Sequence, residues 1–192
     1  MIYLSEGNSR MNIPTFSLPA VKTCKGRTKL CEKYCYARKA ERSWKNVLPS
    51  RKRNLKESKS IWFVKRMSNI ISERKGKYIR IHESGDFYSQ RYLNSWFKIC
   101  RLNPDKKFLV YTQRYDLVWK GKPDNMIVYW SVWQDSKDVP EDGLKAYVID
   151  NGKGRIPDYE TDGKLCKKSK DLTCDDCLWC FEGRGNVRFK VH

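Results

Sequence analysis

The sequence predicts an α/β protein, either a partial (β/α) barrel or a mostly parallel sheet with helices, carrying a small cysteine-rich C-terminal appendage. Three observations predict it. Four runs rich in β-branched and aromatic residues, at 77–82, 108–112, 126–132 and 145–149, have the near-continuous apolar character of strands covered on both faces. Two stretches with apolar residues at helical spacing precede and follow the first run, so helices alternate with strands. Seven of the eight cysteines fall into two groups at opposite ends of the chain. Residues 1–150 are therefore expected to form an α/β domain with an N-terminal cysteine loop (24–35). Residues 151–192 are expected to form a cysteine-rich, metal-binding tail packed on it.

Taken in order, Ile13-Pro-Thr-Phe-Ser-Leu-Pro19 reads as a short strand that its two prolines demote to an edge or entry position. The cysteine loop follows. Asn46 and Pro49 signal a helix entry. From about Arg51 to Arg74, Leu55, Trp62, Phe63, Met67, Ile70 and Ile71 recur at helical spacing and predict one amphipathic helix, stopped by Gly76. The strand at 77–82 runs into a turn, Glu83-Ser-Gly-Asp86. Ser89 is the expected cap of a second helix, with Tyr92, Leu93, Trp96, Phe97 and Cys100 on its inner face and Pro104 ending it. Three more strands follow, and from Asp150 the composition turns to Gly, Asp and Lys.

The chain has 192 residues, 40% of them hydrophobic, with 7 Trp, 11 Tyr and 7 Phe, which is ample core for a globular fold. The first residues lack a basic segment followed by an apolar run, so no signal peptide is expected. No apolar stretch approaches the roughly 20 residues of a membrane helix. A cytoplasmic, reducing compartment is the expectation, and there clustered cysteines more often bind metal than form disulfides. The formal net charge is +18, and residues 22–77 hold 19 Lys and Arg against 4 Asp and Glu. A field of that sign favours nucleic acid as partner, with Arg51, Lys52, Arg53 and Lys56 as the candidate contacts, against the alternative of a solvated basic face.

Cys166 followed by Cys174-Asp-Asp-Cys177-Leu-Trp-Cys180 has the compact spacing of a 4Fe–4S site, because two short gaps in series reach several corners of one cube. Zinc is the alternative there. Cys24, Cys31 and Cys35 form the other group. Three thiolates on a 4Fe–4S cube leave one iron open, unless a fourth ligand comes from elsewhere. Cys100 is expected in the core. In a barrel-like sheet, functional residues gather at the carboxyl ends of strands. This points to His82, Glu83 and Asp86 as catalytic candidates, and to Gln113 and Ser131 as cofactor contacts.

The stretch Cys24 to Arg38, Asn46-Val-Leu-Pro-Ser-Arg51 and Arg80-Ile-His-Glu-Ser-Gly-Asp-Phe-Tyr-Ser89 resemble the phage protein family called gene product 88. The resemblance spans most of the chain, and it implies the host cytoplasm as location. The cysteine loop also resembles the cluster loop of radical SAM enzymes. Cys31 and Cys35 match the first gap of the CxxxCxxC pattern, and the Cys-Tyr step matches too. Arg38 stands where its third cysteine would be. This second resemblance implies one or two 4Fe–4S clusters and S-adenosylmethionine, its ammonium held by Glu83. The implied activity is a radical-SAM-like reaction on nucleic acid, with the tail cluster relaying an electron. The rival expectation is a non-catalytic nucleic-acid-binding module with structural iron–sulfur or zinc sites.

Overall fold

The computed structural model describes residues 2–7, 11–167 and 172–191. Its centre is one eight-stranded, mostly parallel sheet. The strands are β1 (Leu4–Ser5), β2 (Thr15–Phe16), β3 (Tyr78–Ile81), β4 (Lys107–Thr112), β5 (Met126–Val132), β6 (Leu144–Ile149), β7 (Lys164–Leu165) and β8 (Val187–Lys190). Their order is β1-β2-β3-β4-β5-β6-β8-β7, with only the β1–β2 pair antiparallel. From β2 to β6 each strand is laid beside the last. That is the winding sense of a (β/α) barrel, here left as an open sheet. The cysteine-rich tail contributes β7 and β8 to this same sheet, β8 pairing with β6 from Ala146↔Val187 to Ile149↔Lys190.

Six helices connect the strands: α1 (Lys29–Lys33), α2 (Tyr36–Ser43), α3 (Val47–Glu57), α4 (Phe63–Ser72), α5 (Gln90–Leu102) and α6 (Cys174–Cys177). Alternation along each strand sends side chains to two cores. Ile79, Ile81, Phe108, Val110 and Met126 face α4 and α5, where Phe63, Met67, Ile71, Leu93 and Trp96 close the larger core. Leu109, Tyr129, Ala146 and Val187 face the other way, and Met11, Ile13 and Phe181 cover them. Cys100 lies in the first core, as its place on the inner face of α5 predicts.

Two expectations need correction. The helix read from Arg51 to Arg74 is two helices. The Ser58–Trp62 connection breaks it, because its serines satisfy the backbone locally: Ser58 Oγ donates to the Leu55 carbonyl at 2.9 Å, and Ser60 Oγ accepts from Trp62 N at 3.2 Å. Trp62, expected on the inner stripe, is exposed as a result. Nor is the short strand at Thr15–Phe16 the edge. β1 lies outside it, tied to α3 through Asn54, whose side chain bonds both backbone groups of Tyr3 at 2.7 and 2.8 Å. The cap of α5 is as expected: Ser89 Oγ accepts from Tyr92 N at 3.3 Å.

Trp96 sits where the rings of Phe16, Phe63 and Tyr92 converge, 5.4 to 6.4 Å between centroids. Trp96→Ala should lower stability by about 3–5 kcal/mol, the cost of emptying a large buried site. Trp96→Phe should cost markedly less. Urea melts followed by far-ultraviolet circular dichroism will check both, and equal losses in the two variants would contradict this packing.

Candidate functional site

At the carboxyl ends of β3 to β6 and β8 lies a cavity of about 350 Å³. The loop between β2 and α2 forms one wall. Two glycines let it approach the strand ends. A side chain on Gly26 would stand 2.2 Å from the Gln113 carbonyl oxygen, and one on Gly85 would meet Leu18 and Thr23 at 2.6 Å, with φ at +83°. The loop is then fastened by polar contacts. Leu18 N donates to the Ser84 carbonyl, and the Ser84 hydroxyl to that of Leu18, both at 2.9 Å. Gln113 Oε1 accepts from Thr28 N at 3.2 Å, and Asp135 Oδ2 from Leu30 N at 2.9 Å. Thr28 caps α1, its hydroxyl accepting from Cys31 N. Cys35 occupies the cap position of α2.

This arrangement brings Cys24, Cys31 and Cys35 to the wall of one cavity, together with His82, Glu83, Asp86, Gln113 and Ser131. Burial pushes the Cys24 and Cys31 thiols up to about 12. The Gln113 side chain hydrogen-bonds Cys31 and works against that rise. Asp86 is buried, and its carboxylate accepts from the Thr112 hydroxyl at 2.7 Å, Gln113 N at 3.0 Å and Phe87 N at 2.7 Å. Burial raises it to about 6 in spite of these bonds. The Glu83 carbonyl accepts from the Tyr36 hydroxyl, and that of Ser131 from the Tyr115 hydroxyl.

The second cysteine group lies elsewhere. Cys166, Cys174 and Cys180 pack against the smaller core beside Tyr111 and Phe189, and Cys177 ends α6 next to them. None of the four lines the cavity. Burial raises the Cys180 thiol to about 11, opposed by a hydrogen bond with Tyr111. Tyr111 is shared: it lines the cavity, and the Arg80 guanidinium lies 4.7 Å from its ring centroid. Among the described residues no three His, Cys, Asp or Glu side chains are grouped closely enough to hold a single metal ion.

The four cations expected on a nucleic-acid face divide. Lys52, Arg53 and Lys56 are exposed. Arg51 is turned inward. It is 6% exposed, pairs with Glu41 at 3.1 Å and donates to the Ala37 carbonyl at 3.1 Å, so it braces α2 against α3 and is not a surface contact. Glu41, which also accepts from Ala20 N at 2.8 Å, and Asp135 were missed by sequence reasoning. Their partners lie far off in sequence or on backbone atoms, and no spacing marks them.

His82 lies within the aromatic core, 4.8 Å from Phe87 and 5.7 Å from Tyr92 between ring centroids, with Nε2 2.9 Å from the Tyr92 hydroxyl. Its Nδ1 is buried without a hydrogen-bond partner, and its φ is +66°. Burial, and then the Arg80 charge, lower its pKa from 6.5 to about 3. The unfolded chain therefore takes up this proton first, and stability falls as pH drops from 6.5 toward 3, by about 1.4 kcal/mol per unit. Asp86 acts in the opposite sense: its contribution is lost as pH rises from the unfolded value of about 3.9 through 6. Comparison with His82→Asn, a residue that tolerates positive φ, isolates the histidine, since the cavity cost of the variant does not depend on pH. Between pH 7 and pH 5 the wild type should lose about 2 kcal/mol more than the variant in urea melts. Parallel pH profiles would contradict a neutral, buried His82.

Comparison with known proteins places this architecture. No solved structure matches the chain. The Gene 88 protein of Mycobacterium phage L5 is 29% identical, the match covering 96% of this chain and 90% of the relative. The Gene 88 protein of Mycobacterium phage D29 is 27% identical over the same shares. The model of the family described as Gene product 88 matches residues 3–176, which includes the cavity loop, the ends of β3 to β6 and two of the four tail cysteines. The chain therefore belongs to the Gene product 88 family of phage proteins.

Proposed function

We propose that this phage protein is an iron–sulfur protein, radical-SAM-like, that acts on nucleic acid in the host cytoplasm. One observation carries the reading. Cys24, Cys31 and Cys35 line a single cavity, and the polar residues at the carboxyl ends of the parallel strands line it with them. A single metal ion requires its ligands to converge on one point. A 4Fe–4S cube instead takes each thiolate at a different corner, so its ligands stand apart around a volume. Three partly buried thiols spaced around a cavity suit the second case. Ligation would reverse the effect of burial on Cys24 and Cys31, because a coordinated thiol gives up its proton.

In this reading the three cysteines hold the cluster by three corners. Glu83 receives the ammonium of S-adenosylmethionine, and Gln113 and Ser131 supply further polar contacts to it. Such a cofactor pair supplies one-electron reductive chemistry when bound. Asp86 orders the cavity floor through Thr112 and Gln113, and His82, neutral, offers Nδ1. Cys166, Cys174, Cys177 and Cys180 hold a second cluster, or zinc. The position of these four on the sheet flank, away from the cavity, favours a second reading of that group as a closed, structural site. No helix among the described residues is long and apolar enough to cross a membrane.

Anaerobically purified and reconstituted protein should be brown, with roughly eight iron and eight sulfide per chain if both groups hold cubes. Cys35→Ala should lose the cavity cluster and keep the tail metal. Cys177→Ala should lose the tail metal and reduce folding yield, since a metal knot contributes folding energy directly. S-adenosylmethionine should then perturb the electron paramagnetic resonance signal of the reduced wild type but not of Cys35→Ala. Colourless protein carrying zinc alone would refute the iron–sulfur reading. An intact reduced cluster indifferent to S-adenosylmethionine would leave the binding module in its place.

A further inference from the structure

The second large concavity of the molecule lies on the helical face, between the α3–α4 connection and α5. It measures about 810 Å³, more than twice the cysteine cavity. We infer that this groove binds single-stranded nucleic acid, with phosphates on Lys59, Arg91 and Lys98 and unpaired bases against Tyr88 and Ile61. The inference rests on the nucleic-acid part of the reading above and moves the contact away from the Lys52, Arg53 and Lys56 face.

Charge is the first argument. Lys59, Arg91 and Lys98 line the groove and are exposed, and no Asp or Glu lines it. Among the described residues none of the three forms an ion pair, whereas Arg51 and Arg66 close by are paired with Glu41 and Glu57 at 3.1 and 2.9 Å. Exposed cations without a counter-charge are the groups that replace condensed counterions on phosphates. Arg91 and Lys98 are seven residues apart on one face of α5, which sets them on the order of 10 Å apart along its axis, so they meet different phosphates of one strand. The Ser60 hydroxyl, also in the lining, accepts from Trp62 N and keeps its own proton to donate to phosphate.

The aromatic wall is the second argument. Tyr88 stacks on the buried Tyr92, 4.5 Å between centroids and 10° between planes, and its hydroxyl bonds Ser58 Oγ at 2.9 Å. The ring is therefore held in place before any ligand arrives, which lowers the ordering cost of binding. The helix break puts one large apolar side chain in the lining with it, Ile61 at 78% exposed. A basic channel edged by aromatic and apolar faces is the arrangement that grips a single strand without regard to sequence. The bases of a duplex are stacked away from such a wall, so the strand it fits is unpaired.

The test is fluorescence anisotropy with a labelled twelve-nucleotide thymidine strand, titrated at several salt concentrations. Three proteins are compared: wild type, the groove triple variant K59E/R91E/K98E, and the triple variant K52E/R53E/K56E. All six positions are exposed, and circular dichroism confirms that each protein is folded. The groove variant should bind at least tenfold more weakly. Its slope of log affinity against log salt should be shallower by about 2, since each phosphate that the protein neutralises on a single strand adds roughly 0.7 to that slope. The other triple variant should lose less. A fourth protein, Ile61→Ala, should lose affinity with the salt slope unchanged. Groove and wild-type proteins of equal affinity would overturn the inference while leaving nucleic-acid binding intact. Equal affinity for a duplex of the same length would overturn the single-strand assignment. Failure of the wild type to bind any strand would overturn the parent reading itself.

Discussion

The Asp86 carboxylate is the contact on which the functional end of this molecule depends. It lies in the turn after β3 and reaches sideways to the Thr112 hydroxyl and the Gln113 amide at the end of β4. Gln113 in turn holds the cysteine loop at Thr28, and Gly26 lets that loop lie against the Gln113 carbonyl. One buried acid thus joins two strand ends and, through the second, the segment carrying Cys24, Cys31 and Cys35. Burial alone would favour its neutral form, and its raised value of about 6 shows how much of that cost its three donors leave unmet. The fold accepts the cost where it shapes a cavity.

The parallel sheet makes such a cavity natural. Strands laid side by side in the same sense bring all their carboxyl ends to one edge, and the loops that follow them are free to vary without disturbing the two cores. The first cysteine group is delivered to that edge by the long connection between β2 and β3. The second reaches the sheet through β7 and β8 and stays on its flank, against the smaller core. Tyr111 and Arg80 are the side chains between them: both line the cavity, the ring and guanidinium lie against one another, and Tyr111 also bonds Cys180. The basic groove lies apart from both, on the helical face of the sheet.

Much of this was legible in the chain, for local reasons. The strands β3 to β6 are short apolar runs bounded by turn residues. The Ser89 cap needs only the amide of Tyr92 three residues on. The inner face of α5 follows from 3.6-residue spacing, and Cys100 is where that spacing puts it. The two cysteine groups and the basic bias of residues 22–77 are equally plain. What failed was of another kind. The helix expected through Ser58–Trp62 had the right apolar spacing but was broken by serines that bond their own backbone. The two-residue strand β1 carries too little pattern to be read and is held by Asn54, about fifty residues away.

By itself, then, the sequence determined the α/β class, the run of central strands, the helix carrying the main core and the division of seven cysteines into two groups, because each depends on periodicity or chemistry within a few residues. Tertiary structure alone decided that the first group shares a cavity with His82, Glu83 and Asp86 while the second does not, that Arg51 faces inward, and that the cations of α5 line a groove with Lys59. The physical reason is range. Burial and counter-charge depend on which distant segments meet, and a residue type at a position in the chain carries no record of the neighbour that folding will bring to it.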